Sequence, residues 1–145
     1  MGTFRPNFAG DGLFVFFINV DAGNLIILRK KDHAFIIDAG GQLDGPTQCS
    51  IWSILYGAKV RSVFLTDARR DHYNLLDTHL GAFIRDADGS NLVSTIYLIG
   101  TRSEWARSAR ERDGYFLELL NDKNVIFTGK SGFFASGESE KTIEN

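Results

Sequence analysis

Cysteine is nearly missing from this chain: Cys49 is the only one in 145 residues. That excludes an intrachain disulfide and any cysteine-based zinc cage, and it fits a reducing compartment. An excess of one charge is missing too. The formal net charge is −2, so nothing attracts the whole molecule to nucleic acid, and such binding would need a local patch. No long hydrophobic run is present; the longest, Leu13 to Ile18, is far too short to span a bilayer. Met1 to Asn7 lacks the basic start and apolar core of a signal peptide. A soluble, cytoplasmic protein with no membrane contact is the expectation. Histidine is limited to His33, His72 and His79. There is no Gly-x-Ser-x-Gly elbow, and Gly129-Lys130-Ser131 lacks the earlier glycine of a phosphate-binding loop, since Asn124 stands there. No internal repeat is found.

The composition that remains, 43% hydrophobic and 23% charged, is that of an ordinary globular domain with a sizeable core. Gly10-Asp11-Gly12, Asp21-Ala22-Gly23-Asn24 and Lys30-Lys31-Asp32 are turns. They separate apolar runs at Leu13–Ile18, Leu25–Leu28 and Ala34–Asp38, which predicts an antiparallel meander. The runs are continuous rather than alternating, which predicts a sheet covered on both faces. From Pro46 onward the pattern becomes helix, strand, helix, strand, helix, strand, which implies parallel pairing. The strands fall at Lys59–Leu65, Val93–Ile99 and Val125–Phe127. One helix is expected from about Asn74 to Arg85, and another is capped by Ser103. The fold class is α/β. Trp52 and Trp105 read as core and Cys49 as buried and inert. His33 reads as a solvated turn residue and His79 as a partly exposed helix residue.

The ionisable groups gather in the stretch Val63 to Leu76, VFLTDARRDHYNLL. A strand ends at Leu65, a charged loop follows, and Leu75 and Leu76 open a helical run. A loop at the carboxyl end of a strand, held by rigid elements on both sides, is a usual place for chemistry in an α/β domain. Asp67, Asp71 and His72 offer two carboxylates and an imidazole within one loop, enough for a single cation site. Arg69 argues against that use, because its guanidinium stays charged and can replace a divalent ion by pairing with Asp67 or Asp71. Arg69 and Arg70 offer an anion site instead. The helix carrying Arg102, Arg107, Arg110 and Arg112 offers a contact to phosphates.

Thr66 to His72 resembles the Thr-His-x-His-x-Asp-His signature of the metallo-β-lactamase-fold hydrolases. Thr66, Asp71 and His72 hold the family's positions, while Asp67 and Arg69 stand where two metal-binding histidines belong. Upstream, INVDAGNLIIL (Ile18 to Leu28) and FIIDAGG (Phe35 to Gly41) resemble the start of the metallo-β-lactamase-like domain of competence DNA-uptake proteins. Together the three segments cover residues 13–100.

The resemblance implies the N-terminal half of an αββα-type fold over residues 1–128; the stretch 129–145, rich in Gly, Ser and Glu, reads from its composition as a flexible tail with Phe133 and Phe134 as its anchor. It also implies metal-dependent hydrolysis of an ester, amide or phosphodiester. Asp67, Asp71 and His72 would be the metal set, Asp71 the catalytic residue, and Asp38, Gly40, Gly41 and Thr66 the support of the site. With two histidines replaced, the expectation is a degenerate, non-catalytic relative with no cofactor. The alternative is a zinc or other divalent-metal hydrolase completed by a partner or a further segment. A half-fold leaves one sheet face bare, which predicts a homodimer or a partner chain over it.

Overall fold

The computed structural model describes residues 6–86, 92–109 and 114–129. The meander forms as β1 (Phe14–Phe17), β2 (Leu25–Lys30) and β3 (His33–Ala39), each pair antiparallel. Asp21 and Lys31 take positive φ in the two connecting turns. Then come α1 (Gly45–Leu55), β4 (Lys59–Leu65), a 3-10 turn (Arg70–His72), α2 (Asn74–Thr78), α3 (Gly81–Ile84) and β5 (Thr95–Leu98). The series ends with α4 (Arg102–Ser108), α5 (Gly114–Leu119) and β6 (Val125–Phe127). β3 through β6 pair in parallel, and the strands lie in sequence order in one six-stranded mixed sheet. The fold is α/β. No described helix is long and apolar enough to cross a membrane.

Strand order decides where the helices go. Each parallel crossover from β3 to β6 moves one step in the same direction, and crossovers are right-handed. All the described helices therefore lie on one face. Ile27, Ile36, Val63, Leu65, Ile96, Leu98, Val125 and Phe127 are buried there with Ile51, Ile54, Leu55, Leu75, Leu76, Leu80, Ile84 and Trp105 from the helices. The alternate residues of the same strands point the other way. Phe17, Ile26, Ile37, Phe64, Tyr97 and Ile126 stand side by side across all six strands. None of the six belongs to the core or packs against it. Of the two-sided cover that the continuous apolar runs predict, the described residues supply one side: one face is core, and the other is apolar without a described layer over it.

Several local expectations are also corrected. The helix expected over Asn74 to Arg85 breaks into α2 and α3. The Thr78 hydroxyl bonds back to the Asn74 carbonyl, and the Leu80 N–H reaches the Leu75 carbonyl five residues back; the back-bond bends the helix and the wider bond ends its regular ladder. α4 is capped by Thr101 rather than Ser103. Thr101 and Glu104 form a reciprocal capping box, with the Glu104 carboxylate accepting the Thr101 N–H at 2.7 Å. Trp52 is 44% exposed and Cys49 is exposed, because the core line of α1 is Ile51, Ile54 and Leu55 and both residues lie off it. Trp52 packs edge-on against Phe83 at 4.7 Å; Trp105 is core, as expected. His33, 41% exposed at its side chain, begins β3 rather than lying in the turn, and it accepts a hydrogen bond from Arg61 at 3.0 Å that ties β3 to β4. Sheet pairing continues through Gly129, whose N–H donates to the Gly100 carbonyl. The rest of the expected tail, residues 130–145, lies outside the described residues, as do Arg110 and Arg112.

One buried cation holds the first helix to the sheet. Arg29 on β2 is 5% exposed, and its guanidinium donates to the carbonyls of Ile54 (2.6 Å), Tyr56 (3.0 Å) and Lys31 (2.5 Å). Burial lowers its pKa and the nearby Asp32 raises it, with burial the larger effect. The Ile54 and Tyr56 carbonyls belong to the end of α1, where helix carbonyls lack intrahelical partners. Phe8 lies against the same guanidinium at 4.3 Å. Arg29→Ala strands these acceptors in an apolar setting, and a loss of about 2–4 kcal/mol in urea unfolding is expected.

Candidate functional site

The charged loop sits at the carboxyl end of β4, against the carboxyl end of β3. Backbone meets backbone there. A Cβ built on Gly40 would lie 1.8 Å from the Asp71 carbonyl oxygen and 2.4 Å from the His72 nitrogen, so only glycine permits the approach. Gly41, at φ 118°, fits against Val20 in the same way. Asn74, at the start of α2, then clamps Gly41 twice: its side-chain oxygen accepts the Gly41 N–H at 2.8 Å, and its amide donates to the Gly41 carbonyl at 2.9 Å.

Asp38 is the centre of the arrangement. It is 5% exposed and takes φ 53°, a conformation that Asp tolerates better than most residues. One carboxylate oxygen accepts the Thr66 N–H at 2.8 Å; the other accepts the Thr66 hydroxyl at 2.6 Å and faces His72 Nδ1 at 3.1 Å. The Thr66 hydroxyl spends its hydrogen on Asp38, so its lone pair faces His72 Nδ1 at 3.4 Å. Two acceptors around Nδ1 select the Nδ1–H tautomer. Nε2 is left with a lone pair, and that lone pair meets the Arg69 guanidinium, whose Nη2 lies 3.3 Å away.

Asp67 and Arg69 close the outer side. Asp67 accepts the Arg69 N–H at 2.9 Å and pairs with its Nε at 3.0 Å. Burial pushes the Asp67 carboxyl up. The Arg69 hydrogen bonds and charge, with His72, outweigh this and hold it below the usual carboxylate range. The Asp67 hydrogen bond and the Asp67 and Asp71 charges hold Arg69 correspondingly higher. A depressed carboxyl stabilises the fold above its unfolded pKa, about 3.9, and that support is lost as pH falls through the folded value. With the Asp67 side chain 40% exposed, its share is well under about 1 kcal/mol. Arg69→Gln is therefore expected to flatten slightly the fall of the urea midpoint below pH 4.

The sequence-derived site residues are thus brought together in part. Asp38, Thr66 and His72 form one hydrogen-bonded unit, with Asp38 and His72 buried, Thr66 at its exposed rim, and Gly40 and Gly41 beside it. Asp71 reaches His72 Nε2 only at 3.9 Å. Arg70 is exposed and lines a cleft of about 350 Å³ with Asp71, Asn74, Gly41, Gln42 and Ala22. The His79 ring meets the hydroxyl of its neighbour Thr78 at 2.7 Å. Arg102, exposed at the start of α4, bonds the Leu120 carbonyl and Asn121 and lies over the Phe127 ring at 4.8 Å.

A divalent metal does not fit the loop in this arrangement. Among the described residues no three His, Cys, Asp or Glu side chains group closely enough to hold an ion. His72 Nδ1 belongs to Asp38, and Nε2, the nitrogen left for a metal, faces a fixed positive charge. Two contributors had little signal in the sequence. Asn74 reads only as a helix beginning, and Arg29 reads as one end of a strand. No family model matches this chain, and no curated protein matches it.

Proposed function

We propose that this chain is a degenerate, non-catalytic relative of the metallo-β-lactamase-fold hydrolases that works by binding, through the open face of its sheet, a second copy of itself. The order of a meander followed by parallel αβ units supports the kinship. So does a Thr-x-x-x-x-Asp-His loop at the end of β4 with Asp38 and two glycines behind it.

The single observation that carries the binding role is the apolar row Phe17, Ile26, Ile37, Phe64, Tyr97 and Ile126. A second row, Val15, Leu28, Phe35, Ser62 and Thr95, runs beside it, also without charge. Phe64 and Tyr97 stack face to face at 4.8 Å; Phe17 at the β1 edge is 80% exposed, and the other five of the row, which shield one another, are half-buried.

Six strands at about 4.8 Å spacing and two rows make a patch roughly 24 Å across, larger than the scattered apolar residues of a monomer surface. The two rows carry no charge and meet their own copies without like-charge repulsion; Lys30, His33 and Arg61 lie beyond them on the same face. Two such faces packed across a two-fold axis form a sheet-on-sheet layer of ordinary geometry. Phe64→Glu places a carboxylate in the middle of the row, and the test is whether it converts a dimer into a folded monomer. Tyr97→Glu is the companion variant from the neighbouring strand. A wild-type chain that is monomeric at every concentration would refute the self-association.

A further inference from the structure

We infer that self-association through the open sheet face is switched by pH: His33, at the rim of that face, lets two copies pack while it is neutral and drives them apart when it is protonated. The inference rests on the self-association proposed above and adds its regulation.

The sheet itself sets His33 among cations. His33 lies opposite Lys30 where β2 pairs with β3, and opposite Lys59 where β3 pairs with β4. Lys30 and His33 follow Leu28 and Phe35 in the alternation of their strands, so they share the open face, one step beyond the apolar rows. The register shift between Ala34 and Phe35 leaves Arg61 as an extra residue of β4. Its Nε donates to His33 Nδ1 at 3.0 Å. Among the described residues, Asp32 supplies the opposing charge, 3.6 Å from His33 Nε2 on the exposed side of the ring. Lys31, next in the same turn, is paired with Asp11 at 2.6 Å.

A ring that accepts a guanidinium N–H at Nδ1 is neutral and carries its own hydrogen on Nε2. Protonation removes that acceptor and sets two cations 3.0 Å apart, with a lysine on either neighbouring strand. In the separated chain, water around the half-buried ring carries part of this charge. In the dimer a facing sheet about 10 Å away displaces some of that water, and charge at the rim costs more. The separated chains therefore bind the proton more readily than the dimer does. By linkage, association weakens as pH falls and strengthens as it rises.

The test is sedimentation equilibrium of the full chain at about pH 8 and about pH 5.5, the interval in which histidine is the side chain that ordinarily changes charge. Ionic strength is held constant, wild type is compared with His33→Gln, and circular dichroism confirms folding. Glutamine offers Arg61 an oxygen acceptor and stays uncharged. The wild-type dimer dissociation constant is expected to rise at least about 10-fold at the lower pH, and that of His33→Gln to change less than about 2-fold. Nitrogen NMR of the wild-type His33 ring is the second measurement, and it does not depend on the variant. The ring should be the Nε2–H tautomer at the higher pH and should gain its second proton over the interval in which the dimer comes apart. A wild-type dimer equally tight at both pH values would overturn the inference and leave the self-association standing. So would a pH response that His33→Gln shares, or a ring still neutral where the dimer has dissociated. A wild-type chain that is monomeric at both pH values would overturn the self-association and the inference together.

Discussion

Gly40→Ala is expected to leave the chain unfolded or barely folded under conditions where wild type is stable. The added methyl would sit 1.8 Å from the Asp71 oxygen, 2.0 Å from the Asp71 carbonyl carbon and 2.4 Å from the His72 nitrogen. All three are backbone atoms, so no side chain can swing aside. Relief requires the 3-10 turn at Arg70–His72 to move off the end of β3, and several bonds would fail together: Asp38 to Thr66 and His72, and Asn74 to Gly41. Overpacking against fixed backbone with loss of a buried polar unit belongs to the severe class, about 4 kcal/mol or more. That is a large share of the 5–15 kcal/mol that holds a domain together. Gly45→Ala is the control. Nothing lies within 4 Å of its added carbon, and it starts α1, so a change within about 0.5 kcal/mol is expected. A Gly40→Ala protein with a wild-type urea midpoint would show that the loop does not lie on β3 as described.

Asp38→Ala comes next in size, at about 3–5 kcal/mol. The carboxylate is itself buried and serves a backbone N–H and a hydroxyl of the exposed Thr66 and the imidazole of the buried His72. Its removal strands the His72 donor in a nearly dry place and loosens Thr66, and the penalty for an unsatisfied buried donor exceeds the net worth of the bond itself. The φ of 53° adds to the cost, because alanine adopts it less readily than Asp or Asn. Asp38→Asn separates the two contributions. It keeps the backbone tolerance and can still accept the Thr66 N–H. It loses the charge and sets an amide against groups that need an acceptor, so a loss of about 2 kcal/mol is expected. Nitrogen NMR of the His72 ring supplies a second readout. The wild-type ring should be the Nδ1–H tautomer, and Asp38→Ala should release that preference. An Nε2–H ring in wild type would contradict the hydrogen-bond pattern around Asp38.

What the sequence made legible follows from which interactions are local. Gly-Asp-Gly, Asp-Ala-Gly-Asn and Lys-Lys-Asp carry their turn chemistry within four residues, so the meander could be read directly. The strand ending at Leu65 and the polarity of the loop after it could be read in the same way. The break between α2 and α3 could not, because it depends on a Thr78 back-bond and a Leu80 N–H reaching Leu75, both invisible in apolar spacing. Thr101-x-x-Glu104 was a legible capping box that a serine two residues later obscured. The pairing of Arg69 with Asp67 is local and was foreseeable. Its approach to His72 depends on Asp38, which sits 34 residues from His72 in sequence and turns the ring from another strand. Arg29 was hidden because its partners are carbonyls, and carbonyls leave no mark on a sequence. The open sheet face was obscured by its own apolarity: Ile26, Leu28, Phe35, Ile37 and Phe64 look like core residues until the common direction of the crossovers puts every described helix on the other face.

The measurement that tests the central claim most directly is the mass of the full chain in solution, by sedimentation equilibrium from low to high micromolar concentration. The account predicts a dimer of twice the 16.2 kDa chain mass, reduced to a folded 16.2 kDa monomer by Phe64→Glu. A wild-type chain that stays at 16.2 kDa throughout, or a dimer indifferent to Phe64→Glu and Tyr97→Glu, would contradict it.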